Sequence, residues 1–129
     1  MKHIAWVGCL VFLAIGCSKK LTTSRVEQFD VFYDQFHSDA QFQLERVSFP
    51  LEGKYEGPEG FIEWDQQNWE THQQKVSEIS DPNYDTELRR IDDVMIEKVQ
   101  LRGGGYYSER RFQLIDGKWY LVYYETVNL

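Results

Sequence analysis

His37 and His72 are the side chains of this 129-residue chain best suited to proton transfer near neutral pH, apart from His3 at its start. Neither has a neighbour at a spacing that would make it catalytic. His37 falls at the end of a predicted helix and His72 in a polar stretch, so both are expected on the surface. There is no Gly-x-Ser-x-Gly elbow and no His/Cys/Asp/Glu cluster at metal-ligand spacing. Asp92, Asp93 and Glu97 form a carboxylate group whose simpler reading is a solvated acidic surface. These residue types point to no catalytic residue, no metal and no cofactor.

Gly103-Gly104-Gly105, with Tyr106, Tyr107, Arg110 and Arg111 behind it, poses the question of phosphate or nucleic-acid binding. A phosphate cradle needs glycines leading into a helix N-terminus, and here strand-forming tyrosines follow with no Lys-Ser/Thr. The glycines therefore read as a turn. Adjacent arginines on a strand point to opposite faces and make no single basic patch. The formal charge of −7 also opposes a phosphate backbone, and nucleic acid is excluded as a partner.

The elements that must position these residues follow from periodicity. Ser24-Arg25-Val26-Glu27 fits a capping box. Val26, Phe29, Phe32, Tyr33 and Phe36 follow at helical spacing, predicting one aromatic face packed across a sheet. Ala40 to Glu45 reads as a short further helical turn. Val47, Phe49 and Leu51 alternate as a strand, which Pro50 places at an edge or terminates. Residues 52 to 60 read as loop, Asp65 as the cap of a second helix carrying Trp69, Val76 and Ile79, and residues 84 to 93 as strand or loop.

Asp116-Gly117 is a two-residue hairpin signal, which sets Ile115 opposite Lys118, Leu114 opposite Trp119, Phe112 opposite Leu121 and Arg110 opposite Tyr123. Treating the three glycines as a second hairpin loop sets Ile96 opposite Phe112, Lys98 opposite Arg110 and Glu97 opposite Arg111, subject to a bulge at a glycine. In that register Val94, Ile96, Phe112, Leu114, Trp119 and Leu121 share the core face. Arg110 then joins Lys98, Tyr123 and Glu125 as the candidate rim of a pocket, and Met95, Val99, Tyr120, Val122 and Tyr124 form an apolar patch on the other face, a candidate surface for an envelope protein.

The N-terminus carries a different kind of chemistry. After Met1-Lys2-His3, Ile4 to Ile15 is an apolar run. As a helix it would reach about 18 Å, short of the roughly 30 Å of a bilayer core, so it reads as a secretory signal rather than a span. Leu13-Ala14-Ile15-Gly16-Cys17 resembles the lipobox of bacterial lipoprotein precursors, with Leu one place earlier than is usual. The resemblance implies cleavage after Gly16 and acylation of Cys17, and two or three acyl chains make a stable anchor. Cys9 leaves with the signal, so lipidation would also remove the lone thiol of an exported chain. The expected organisation is residues 1–16 as signal peptide, 17–23 as lipid-anchored tether and 24–129 as a single α+β domain. Four Trp, eight Tyr and eight Phe, only Trp6 and Phe12 of them in the leader, suffice for its core.

Helix, strand, helical stretch and long C-terminal meander is similar to the order of the cone-shaped cystatin-like, nuclear-transport-factor-2-like fold. The wording of Phe29, Phe32 and Phe36, of Asp39 to Leu51 and of Phe112 to Leu121 resembles the bacterial lipoproteins of domain-of-unknown-function family 4348. That resemblance implies N-terminal helices on a curved antiparallel sheet and a lipid anchor, and it supplies no catalytic residues. The expectation is a non-catalytic binding or accessory module in the bacterial cell envelope. It would be held to the membrane through lipid on Cys17, on the periplasmic side or the outer surface, with a small molecule or an envelope protein as its further partner. The alternative is a small-molecule-binding or isomerase/hydrolase-like enzyme using the pocket of the cone.

Overall fold

The computed structural model describes residues 25–129. Cys17 and Ser24, with the predicted signal and tether, lie outside the described residues. Two helices, α1 (Phe29–Ser38) and α2 (Ala40–Glu45), precede β1 (Val47–Gly57), β2 (Gly60–Trp64), β3 (Tyr84–Ile91), β4 (Val94–Leu101), β5 (Tyr106–Ile115) and β6 (Lys118–Asn128). A 3₁₀ turn at Val76–Glu78 interrupts the segment between β2 and β3. The strands form one curved sheet in the order β2-β1-β6-β5-β4-β3, antiparallel except for the β1–β6 pair, which is parallel. The α+β class expected from the sequence is what the chain adopts.

The aromatic stripe of α1 behaves as its spacing predicts. Phe32 and Phe36 are fully buried, and Phe29 meets Phe112 and Trp119 edge-on at 5.8 and 5.1 Å between ring centroids. Together with Leu121, Val47 and Leu51 they form the core under the helices. The start of the helix differs from expectation. α1 begins at Phe29, and Glu27 precedes it instead of serving its cap. The Glu27 carboxylate accepts from both terminal nitrogens of Arg46, at 2.8 and 3.1 Å, and from the Trp119 backbone N–H at 2.8 Å. These charge-assisted bonds across the fold outweigh one local capping bond. Asp39 does cap α2, accepting from Phe42 N at 3.0 Å.

Two further expectations yield to tertiary pairing. Residues 52 to 57 continue β1, because the glycines there mark a bulge at Gly53 and the end of the β1–β2 hairpin, where Gly57 pairs with Gly60. Pro50 is not at a sheet edge: β1 lies between β2 and β6, and Pro50 sits where the β1–β6 register shifts, between Val47 and Glu52. A bulge makes no use of the N–H that proline lacks. No helix follows Asp65. Its carboxylate accepts from Gln67 N and Asn68 N at 2.8 and 2.9 Å, closing a turn, and the chain then runs irregularly to the 3₁₀ turn.

The register of the meander decides which side chains meet. Ile115, Leu114 and Phe112 face Lys118, Trp119 and Leu121 as the Asp116-Gly117 turn predicts. Beyond Phe112 the β5–β6 register shifts, so Arg110 faces Tyr124 and Arg111 faces Tyr123. Between β4 and β5 the loop comprises Arg102 to Gly105, and every pair is displaced by one from the expected register: Met95 faces Phe112, Glu97 faces Arg110 and Val99 faces Ser108. The glycines hold φ of 91 to 94°, which lets the reversal use four residues instead of three.

Candidate functional site

A one-residue displacement turns every side chain of β4 over. Met95, Glu97 and Val99 therefore join Ser108, Arg110 and Phe112 on the concave face, and Tyr124 and Thr126 reach that face from β6. Of the four predicted rim residues, only Arg110 lies there. Lys98, Tyr123 and Glu125 stand on the convex face, where the Glu109 carboxylate accepts from Arg111 Nε at 2.6 Å and from the Tyr107 hydroxyl, and the Tyr123 hydroxyl donates to Glu125 at 2.7 Å. The predicted apolar patch divides for the same reason: Val99 and Tyr124 are buried on the concave side, and Met95 packs against the core. Glu97 pairs with Arg110, and the partner of Arg111 is Glu109.

Arg110 is the centre of the concave site. Its Nε donates to Glu97 Oε1 at 2.6 Å, one terminal nitrogen donates to His37 Nε2 at 3.1 Å, and the other donates to His72 Nδ1 at 3.0 Å. Burial works against its charge, and the Glu97 carboxylate more than offsets that, so the guanidinium stays charged. The Tyr33 hydroxyl donates to the other Glu97 oxygen and accepts from Val76 N at 3.1 Å. Burial and the Glu97 charge raise its pKa, which keeps it a donor.

Because arginine only donates, this arrangement dictates both histidine tautomers. His37 accepts at Nε2, so its Nδ1 carries the proton and donates to the Tyr33 carbonyl at 2.7 Å. His72 accepts at Nδ1, which leaves its proton on Nε2. Burial, then the Arg110 charge, lowers the pKa of both, and that of His72 falls to about 3. Both rings are neutral near pH 7. The histidines expected on the surface are thus drawn inward by a buried cation that needs acceptors. No buried side-chain nitrogen or oxygen lacks a partner among the described residues, so the His72 Nε2–H is open to the clefts that His72 lines.

His72 is positioned by Gln43, a fully buried residue of α2. The Gln43 amide donates to the carbonyls of Phe36 and His72, both at 2.7 Å, and its oxygen accepts from Trp69 Nε1 at 3.1 Å and from His72 N at 2.9 Å. One side chain thereby ties the irregular segment after β2 to the helices. A cleft of about 230 Å³ lies over Arg110, Glu97 and Ser108, and a larger one of about 670 Å³ adjoins it, both lined by His72, Tyr106 and Tyr124. Among the described residues, no three His, Cys, Asp or Glu side chains group as a metal site.

Sequence spacing contained a signal for part of this. His37 lies four residues after Tyr33 and next to Phe36, at the edge of the buried stripe, and Glu97 alternates with Met95 and Val99. Nothing local marks His72 or Gln43, whose partners are 29 residues apart in the chain.

No protein-family model matches the chain, and the search of the curated proteins gives no match. Solved structures do match. An NTF2-like protein from Bacteroides fragilis superposes with a TM-score of 0.54 at 18% identity, over 80% of this chain and 48% of its own, so this chain spans about half the length of that protein. A second NTF2-like protein, from Cytophaga hutchinsonii, gives 0.42 at 16% identity over 80% and 99%. A protein of unknown function with a cystatin-like fold, from Nostoc punctiforme, gives 0.37 at 13% over 78% and 88%. An identity this low speaks of fold alone: two helices on a curved six-stranded sheet, the α+β fold of the first of these NTF2-like proteins.

Proposed function

We propose that this chain is a lipid-anchored module of the bacterial cell envelope that binds a small ligand on the concave face of its sheet and does no chemistry on it. The observation that carries the binding reading is the pair of adjoining clefts that share His72, Tyr106 and Tyr124, the smaller of them over Arg110 and Glu97. Their polar floor favours binding over proton transfer: both nitrogens of His37 and Nδ1 of His72 are engaged within the protein, and the remaining Nε2–H of His72 is a donor. A general base needs a free lone pair facing the ligand, which is what an isomerase- or hydrolase-like alternative would require.

The envelope part of the reading rests on the lipobox-like Leu13 to Cys17 and on the resemblance to bacterial lipoproteins. Expressed in a bacterium, the chain should fractionate with membranes and carry an acylated Cys17 by mass spectrometry, and Cys17→Ser should release it. An unmodified Cys17 in the membrane fraction would remove the anchor from the proposal. A thermal-shift screen of envelope metabolites tests the binding part, with Arg110→Ala abolishing any hit.

A further inference from the structure

The larger cleft is chemically distinct from the ionic site beside it. Its wall is a fixed aromatic surface: Trp64 stacks on Tyr124 with 4.8 Å between centroids and 22° between planes, and Trp69 stands edge-on to both at 6.1 and 5.9 Å. Trp64 Nε1 donates to the Tyr124 carbonyl at 2.8 Å and Trp69 Nε1 to Gln43, so neither indole can reorient without breaking a bond. Tyr55 joins the lining from β1, its hydroxyl 2.2 Å from where a Cβ on Gly57 would stand. Around this surface lie the exposed polar side chains of Gln67, Glu70 and Asn128, and the His72 Nε2–H.

The charges select against an anion. Glu70 alone among the lining residues is formally charged, since His72 is neutral, and it opposes an anion. Arg110, behind His72, is compensated by Glu97 and lends the cleft no net charge. A flat apolar ligand would match the wall but strip water from two amides and a carboxylate without replacing their hydrogen bonds. A neutral ring with a C–H face and hydroxyls around its edge satisfies both kinds of surface.

Building on the ligand-binding reading above, we propose that this cleft binds an uncharged saccharide ring in the corner between Trp64 and Trp69, its C–H face on one indole and its hydroxyls paired with Gln67, Asn128 and Glu70. The His72 Nε2–H donates to a ring or glycosidic oxygen. The amide and carboxylate groups each both orient and desolvate a hydroxyl, which distinguishes stereoisomers more than it raises affinity.

The test is calorimetry and saturation-transfer NMR on the full chain in detergent, with cellobiose, maltose and chitobiose as saccharide probes, glucuronate as a charged one and indole as a flat aromatic one. At least one neutral disaccharide should bind, and more tightly than glucuronate. Gln67→Ala and Asn128→Ala, both at exposed positions, should each weaken it by about fivefold, one hydrogen bond's worth, with the unliganded melting temperature unchanged. Binding of indole with silence from every saccharide overturns the saccharide inference and leaves the ligand-binding reading standing. Silence from all probes counts against both. Saccharide binding that is indifferent to Gln67→Ala, Asn128→Ala and Trp69→Phe overturns the location.

Discussion

Arg110 and Glu97 face each other across β5 and β4 as a buried ion pair, Nε 2.6 Å from Oε1, with side chains 6% and 3% exposed. Around the pair stand only neutral partners, His37, His72 and Tyr33. The charges therefore depend on each other for compensation.

Removing one partner should be worse than removing both. Glu97→Ala leaves a guanidinium buried against two neutral rings, and its expected cost is about 3–5 kcal/mol in urea unfolding. The Glu97→Met/Arg110→Met double variant should unfold at a higher urea concentration than either single variant. Additive losses would show that the pair is not coupled.

Acid should destabilise the fold before its carboxylates titrate. The pKa of His72 is lowered from 6.5 to about 3 and that of His37 is also lowered, by burial first and then by Arg110. Between the folded and the unfolded values the unfolded chain binds more protons, so stability is complete above about pH 6.5 and declines as pH falls. The loss is at most about 1.4 kcal/mol per pH unit for each histidine. The pKa values of Glu27 and Glu109 are also lowered, from 4.5, so their contributions fade only at lower pH. Urea midpoints measured from about pH 7 to about pH 5 should fall, and His72→Gln should flatten that slope.

Gln43 is the hinge pin of the segment that carries Trp69 and His72. Gln43→Leu keeps the volume but leaves the Phe36 and His72 carbonyls and the His72 N–H without their partner. The Trp69 Nε1–H is orphaned as well, and four groups at about 1 kcal/mol or more each give an expected cost of about 4 kcal/mol or more. Hydrogen exchange at residues 69 to 76 should accelerate more than in the β5–β6 hairpin. Uniform acceleration would place the loss in global stability instead.

Gly53 cannot accept a side chain. At φ of +98° its Cβ would lie 2.0 Å from the Tyr124 carbonyl oxygen. Gly53→Ala should cost about 2 kcal/mol or more, because backbone must move against backbone. It should also broaden NMR signals at Tyr124 and Trp64, whose indole donates to that same carbonyl. The equivalent change at Gly104, with open space around its Cβ, should cost less.

Local chemistry determined much of this protein. Spacings of three and four placed Phe29, Phe32, Tyr33 and Phe36 on one buried helical face, and Asp116-Gly117 set the pairing of its own hairpin as far as Phe112. Turn geometry and helical periodicity act over a few residues, so they are written in a few residues. The site is not of that kind. Whether Arg110 meets Lys98 or Glu97 depended on how many residues the Gly103–Gly105 reversal consumes, and glycine permits several answers. Where Tyr124 and Tyr123 point depended on a register shift in β6 with no local marker. His72 faces inward because a buried guanidinium on another strand lacks acceptors, and Gln43 holds it there from another helix. Those outcomes are set by burial and by the pairing of polar groups far apart in the chain, quantities that exist only once the sheet has closed over the helices.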